Sequence, residues 1–223
     1  MEETRLVLVR HGESMAQERR VVGGHAGCAG LSPRGRRQVE ALRDRLAVTG
    51  ELGRPVALYA SVLPRAIETA EILAEALDVP DVDTRCDFCE HHPGDGDGLA
   101  WDEFERRYPA PEAWDPDHRV APGAESWNEM AGRVAQALDQ AVADHPGGTV
   151  VVASHGGVIV HAMLRWFDLA PMAQSRPRAW LNPTNASITE WRIGGESGMP
   201  GALPVGLVRF NDHAHLAGTD LLT

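Results

Sequence analysis

Two histidines in this 223-residue chain follow apolar runs and precede glycine. His11 comes after Leu6-Val7-Leu8-Val9-Arg10 and before Gly12; His155 comes after Thr149-Val150-Val151-Val152-Ala153-Ser154 and before Gly156-Gly157. Short continuous apolar runs suit strands buried on both faces. In open α/β sheets, ligands bind beyond the carboxyl ends of the strands, where helix N-termini offer unpaired backbone N–H groups to anions. Two imidazoles delivered to that edge would face one another across a phosphate. A third apolar run, residues 56–60, ends at Ser61, and Arg65 then falls in the first turn of a helix. Positive charge is locally unfavourable there, so a bound anion is the simplest compensation and an ion pair with Glu68 the alternative. Arg10 is either a cation snorkelling from a strand end or a phosphate fork.

The elements that must position these groups follow from local patterns. Ser32-Pro33 opens a helix, with serine as N-cap and proline in the first turn, and Val39, Leu42 and Leu46 give it an apolar stripe. A second helix starts near Pro64 with Ala66, Ala70, Leu73 and Leu77 on one face. Residues 78–123 are rich in Pro, Gly, Asp and His; they predict a short strand, an irregular loop and one helix near residues 101–107. So long an excursion reads as a functional lid or cap rather than a plain connector. Ser126-Trp127-Asn128-Glu129 is a capping-box sequence, followed by a helix with Met130, Val134, Leu138 and Ala141 on one face. Residues 149–153 predict a strand, 158–167 a helix, and 187–193 and 204–210 two later strands. Together these predict one α/β domain over residues 1–223, with 78–123 as a cap or substrate-loop insert.

The formal net charge is −11, from 32 acidic and 21 basic residues. No basic run offers a face to duplex nucleic acid or to an anionic membrane. A small anionic substrate stays compatible, because a few convergent arginines override the global field locally. Every basic residue is arginine, which fits the codon usage of a GC-rich bacterial genome and excludes catalytic lysine or Schiff-base chemistry. Cys28, Cys86 and Cys89 are too few for a disulfide framework. The polar start, Met1-Glu2-Glu3-Thr4-Arg5, precedes an apolar run too short for a signal-peptide core, and no stretch approaches a membrane span. The expected compartment is the cytoplasm.

Seven ordered segments resemble the histidine phosphatase superfamily, in the phosphoglycerate mutase-like branch. Arg10-His11-Gly12-Glu13-Ser14 resembles its signature, and Leu31-Ser32-Pro33-Arg34-Gly35-Arg36-Arg37-Gln38 its Leu-Thr-x-x-Gly-x-x-Gln helix start. Ser61-Val62-Leu63-Pro64-Arg65-Ala66-Ile67-Glu68-Thr69-Ala70 is similar to its Ser-x-Leu-x-Arg-Ala-x-x-Thr-Ala segment. Glu90, with Gly94, Asp97 and Gly98, keeps the spacing of the segment bearing the acidic proton donor; Gly123-Ala124-Glu125-Ser126 resembles Gly-Gly-Glu-Ser. Ser154-His155-Gly156-Gly157 resembles the second histidine motif, and Asn185-Ala186-Ser187-Ile188 the late Asn-x-Ser-Ile strand.

The resemblance implies a three-layer α/β/α sandwich with a mostly parallel central sheet. It implies a phosphomonoesterase in which His11 forms a phosphohistidine. Arg10, Arg65 and His155 would hold the phosphoryl oxygens, and Glu90 would protonate the leaving oxygen and then assist the attacking water. Ser14, Gln17, Gly24, His91 and Gly156 are the implied substrate contacts. The implied substrate is a small phosphorylated metabolite, with no metal and no cofactor, and a homodimer is left open. Gln17 stands where the family usually has asparagine, and Asp97 replaces a common glutamate. The stretch from Gly23 to Gly30 lacks the usual aspartate.

Three other readings compete. A mutase would return the phosphoryl group to its substrate, but mutases of this family have a longer region with extra basic residues after the proton donor, whereas here Glu105-Arg106-Arg107-Tyr108 runs quickly into Pro-rich sequence. A catalytically silent phospho-ligand binder fits poorly with the presence of both His11 and Glu90. A metal site would rest on one CxxC, Cys86-Asp87-Phe88-Cys89, with His91 and His92 beside it and His25 with Cys28 elsewhere. Were residues 84–88 a strand, Cys86 and Cys89 would point to opposite faces and chelation would fail, so no metal is expected. His91 and His92 otherwise read as a solvated loop pair, His213 and His215 as packing or capping groups. Trp101, Trp114 and Trp127 read as core residues, or as the lining of a cap.

Overall fold

Alternating side chains of the first strand set the architecture. In β1 (Thr4–Arg10), Leu6 and Leu8 point into one apolar cluster while Val7 and Val9 point into another. In a computed structural model that describes residues 2–169, 181–196 and 204–222, both clusters are covered by helices. On one side α2 (Pro33–Thr49) and α3 (Pro64–Leu77) contribute Val39, Leu42, Leu46, Ala70 and Leu73. On the other, α5 (Trp127–Ala143) and α6 (Gly156–Trp166) contribute Met130, Val134, Leu138, Val158 and Ile159. A strand buried on both faces needs exactly such cover, since each fully buried aliphatic side chain contributes about 1.5–3 kcal/mol. This is the three-layer α/β/α sandwich.

The remaining strands are β2 (Ala57–Ala60), β3 (Asp83–Thr84), β4 (Thr149–Ser154), β5 (Ile188–Ile193) and β6 (Val205–Asp212), in the order β3-β2-β4-β1-β5-β6. The first four in that order run parallel; β5 is antiparallel to β1 and β6 to β5. The β1–β4 register places Arg10 opposite Ser154. The residues that follow, His11 and His155, therefore leave the sheet side by side.

Local chemistry starts and stops the helices as expected. Ser32 Oγ accepts the Gly35 N–H at 2.9 Å with Pro33 at the first helical position, and Gly50 ends α2 with a φ of 58°. Ser126 and Glu129 close a capping box on α5. Within residues 78–123 the regular elements are β3, two 3-10 turns (Cys86–Phe88 and Gly94–Gly96) and α4 (Trp101–Arg107). The unforeseen α1 (Met15–Glu18) begins at a capping box of Ser14 with Gln17. At residues 84–88 the strand alternative is corrected: the chain leaves β3 after Thr84 and tightens into the turn over Cys86–Phe88.

Along the antiparallel side of the sheet, from Arg5 across β5 and β6, lies a charge network. Glu190, 3% exposed, accepts Arg5 Nε and Nη2 at 2.9 and 2.8 Å and pairs with Arg209 at 2.8 Å. Arg45 pairs with Glu51 and with Asp212, each at 2.7 Å, and both carboxylates also meet Arg209. Among the described residues no helix is long and apolar enough to cross a membrane.

Candidate active site

His11 is buried at the end of β1, held from both sides. Its Nδ1 lies 2.6 Å from the Gly12 carbonyl oxygen. A carbonyl only accepts, so the proton sits on Nδ1 and Nε2 keeps its lone pair. Arg65 Nε donates to that Nε2 at 3.1 Å, and Arg65 Nη1 donates to the Gly23 carbonyl at 2.7 Å. Burial first, then the positive charges of Arg65 and Arg10, hold the His11 pKa well below its ordinary value. The result is a neutral imidazole among cations, a state suited to nucleophilic attack. Gly12 is required for close packing: a Cβ there would collide with the Gly35 carbonyl at the start of α2.

The awkward placement of Arg65 is resolved by His11 and Gly23, since Glu68 pairs instead with Arg36 at 2.8 Å. Arg10 donates through Nη1 to the Pro183 carbonyl, and its Nε is buried without a partner among the described residues. His155 stacks edge-on against His11 with ring centroids 5.0 Å apart. Its Nε2 meets Ser61 Oγ at 2.6 Å, while its Nδ1 is buried and unpaired among the described residues. Burial first, then Arg65, lower the His155 pKa well below the ordinary value.

Glu90 reaches this group from the segment between α3 and α5. Its Oε2 accepts the Gly157 N–H at 3.0 Å, at the positive end of α6, and its Oε1 accepts the His91 N–H at 3.1 Å. A Cβ on Gly157 would collide with Glu90 Oε1, so this second glycine admits the carboxylate. Arg133 of α5 clamps the segment from behind. It donates to the carbonyls of Asp87 and Cys89 at 2.9 and 3.0 Å and forks onto Glu125 at 2.8 and 2.7 Å. Glu125 Oε2 accepts the His92 N–H, and the Glu125 carbonyl receives His91 Nε2 at 2.5 Å. Glu125 falls in a recognisable motif, whereas the one local signal for Arg133 is its place two turns into the capped helix that starts just after Glu125.

A cavity of 570 Å³ opens over the site. Of the residues expected from sequence, Arg10, His11, Ser14, Gln17, Gly24, Arg65, Glu90 and His91 line it. His155 stands behind His11. Gly156 is half-buried at the start of α6, with Arg10 Nε alongside. Ser14 and Gln17 also serve the α1 capping box, and Gln17 shares hydrogen bonds with Asn185, whose Nδ2 donates to the His11 carbonyl at 2.9 Å. Gly24 is fixed by Asp97, whose carboxylate accepts the N–H groups of Gly24, Ala26 and Gly27 at 2.7–2.9 Å. The rest of the lining is mostly apolar: Ala16, Val21, Val22, Pro93, Trp101, Phe104, Val120 and Trp127. Trp101 and Trp127 thus line the site rather than the core. Trp127 stacks on the His161 ring at 4.4 Å and on Trp114 at 6.2 Å.

Comparisons with known proteins agree with this geometry. The family model of the histidine phosphatase superfamily (branch 1) matches residues 6–199. A metal-independent phosphoserine phosphatase of Arabidopsis thaliana is 33% identical over 196 residues, 86% of this chain and 80% of that protein. Mycobacterial glucosyl-3-phosphoglycerate phosphatase superposes with a TM-score of 0.72 at 26% identity, covering 93% of this chain and 98% of that one. YhfR of Bacillus stearothermophilus does so with a TM-score of 0.74 at 28% identity, covering 96% and 99%.

Proposed function

The chain belongs to branch 1 of the histidine phosphatase superfamily, and we propose that it hydrolyses a phosphomonoester of a small metabolite through a phosphohistidine on His11. One observation carries the reading. The Nε2 lone pair of a neutral, buried His11 is aimed where Arg65, Arg10 and His155 converge, with Glu90 beside them in the cavity wall.

In the first step His11 Nε2 attacks phosphorus and the bond to the ester oxygen breaks, with Glu90 giving that oxygen its proton. The Arg65 Nε–H, now on His11, turns to a phosphoryl oxygen as Nε2 becomes bonded. The Arg10 Nε–H and His155 Nδ1–H complete the cradle, with Ser61 Oγ donating to His155 Nε2 to keep the ring proton on Nδ1. In the second step Glu90 takes a proton from water, which attacks phosphorus and frees His11 and phosphate.

Ser14, Gln17, Gly24 and His91 line the substrate cavity in this reading; Gly156 acts from α6 behind Arg10. Residues 78–123 act as its cap, through Pro93, Trp101, Phe104 and Val120. Among the described lining residues, the only arginines are Arg10 and Arg65, both at the phosphoryl position. That favours one phosphate on a partly apolar or neutral body, and so hydrolysis over a mutase reaction with two phosphates. Phosphoserine and glucosyl-3-phosphoglycerate, the substrates in the names of two relatives, are the first compounds to assay.

The test is a screen of phosphorylated metabolites for released phosphate, with 3-phosphoglycerate isomerisation measured in parallel. Hydrolysis together with a one-phosphoryl mass gain on His11 is expected. Isomerisation without phosphate release would replace this reading with the mutase, and no turnover or phosphorylation would leave a phospho-ligand binder.

A further inference from the structure

Four side chains with no part in the phosphate chemistry converge beside it. Cys86 opens the 3-10 turn and Cys89 closes it, with the Cys89 N–H on the Cys86 carbonyl at 2.9 Å. The turn brings both thiols to one side, which a strand would not have done. His92 follows three residues later, and His25 arrives from the loop after Val22. One ligand atom from each of His25, Cys86, Cys89 and His92 lies within 4.8 Å of the other three. Cys86 Sγ is 3.8 Å from His25 Nε2 and 3.7 Å from His92 Nε2. Zinc bonds of about 2.3 Å to sulfur and about 2.0–2.1 Å to nitrogen, arranged tetrahedrally, separate the two ligand types by about 3.6 Å.

We propose that His25, Cys86, Cys89 and His92 form a structural site for a thiophilic divalent cation of the zinc class. Two thiolates and two neutral imidazoles balance its charge and match its softness. Four protein ligands leave no open position for substrate or water, so the ion takes no part in catalysis. Surrounding groups already hold the ligands in place, as outer partners of metal sites do. Arg133 fixes the Cys89 carbonyl, and Asp97 fixes the backbone N–H groups of Gly24 and Ala26 on either side of His25. His25 is exposed, which leaves its side chain room to turn toward the other three.

The site links two walls of the substrate cavity that are distant in sequence. One is the loop carrying Gly23 and Gly24, and the other is the segment carrying Glu90 and His91. A bound ion would hold the proton donor at a set distance from Arg65, whose Nη1 grips the Gly23 carbonyl.

The test uses the untagged full chain, purified under reducing conditions, stripped with a chelator and titrated with cobalt(II). Elemental analysis of the unstripped protein is run alongside. One equivalent of metal per chain is expected, with the intense visible bands of tetrahedral cobalt and thiolate-to-cobalt charge transfer. Cys86→Ser and His92→Asn should each weaken binding by more than the roughly 100-fold that losing an outer partner can cost. Cys28→Ala, outside the cluster, should bind as the parent does, and circular dichroism checks that each variant is folded. An octahedral cobalt spectrum, no stoichiometric uptake, or undiminished binding by Cys86→Ser would overturn the proposal. A Cys86–Cys89 disulfide in the reduced preparation would do the same. None of these readouts depends on phosphatase activity.

Discussion

Arg65 Nε donates to His11 Nε2 across 3.1 Å, so the cation of α3 rests on the atom that must attack phosphorus. This contact occupies the lone pair until a phosphoryl group offers the guanidinium stronger, charge-assisted acceptors. Substrate binding and release of the nucleophile are then one event.

Removing that cation is expected to slow the phosphorylation step. Arg65→Ala should lower kcat by about 10²–10³-fold, the range for losing one preorganised donor to a transition state. Arg65→Lys should recover only part of it, because a lysine ammonium cannot span His11 Nε2 and the Gly23 carbonyl as a planar fork does. Single-turnover kinetics on folded variants measure the effect, and unchanged rates would remove Arg65 from the machinery.

Glu90 separates the two half-reactions. For an alkyl phosphate, Glu90→Gln should cut kcat by about 10²–10⁴-fold, the usual worth of a positioned proton donor. With p-nitrophenyl phosphate, whose leaving group needs no proton, the first half should survive and the second should stall. A burst of one nitrophenolate per chain, with phosphate retained on His11, is the expected record. Parent-like steady turnover would assign the proton transfers elsewhere.

Buried histidines make the fold acid-sensitive. Burial holds His161 at about 4, and His11 and His155 also lie well below their ordinary value. In the unfolded chain each binds a proton near pH 6.5, which the folded chain refuses. Stability is therefore full above about pH 6.5 and falls as the pH drops through that value, until the folded pKa is reached. His161 alone should remove about 2 kcal/mol by pH 5. Urea midpoints at pH 7.5 and pH 5 should show the loss, and His161→Phe should reduce it. The NMR signals of His11 should show no titration through pH 6.5.

The ion network along the antiparallel side of the sheet should govern stability without touching catalysis. Glu190 is buried between Arg5 and Arg209, so Glu190→Ala leaves Arg5 without its carboxylate partner, while Arg209 keeps Glu51 and Asp212. The expected cost is about 1.5–3 kcal/mol, the range for losing hydrogen bonds to charged groups. Denaturant unfolding should register that loss, while kcat of the folded fraction stays at the parent value.

Much of the site was legible because its signals are local. Arg10-His11-Gly12 and Ser154-His155-Gly156 each end an apolar run, and a strand end followed by a turn or helix start is written in a few consecutive residues. Arg65 could be placed in a first helical turn because Pro64 marks it, and Ser126 with Glu129 announced α5. Glu90 needed the resemblance, because no periodicity surrounds it.

Other features depend on which strands are neighbours. Placing β4 beside β1 sets His155 5.0 Å from His11 across 144 positions of chain, a separation over which no local pattern operates. The same holds for Arg133 on the Cys89 carbonyl, for Glu190 between Arg5 and Arg209, and for Trp101 and Trp127 over the cavity. The turn at Cys86–Phe88 differs again: a lone CxxC is compatible with strand or turn, and packing selected the turn that gathers Cys86, Cys89, His92 and His25. The sequence by itself placed Arg10, His11 and His155 at strand ends and Arg65 in a first helical turn, since backbone preference and side-chain period act over a few residues. Tertiary structure alone decided the clamp on Glu90, the apolar roof and the four-ligand cluster, since each is a contact between segments that meet only after the sheet has ordered them.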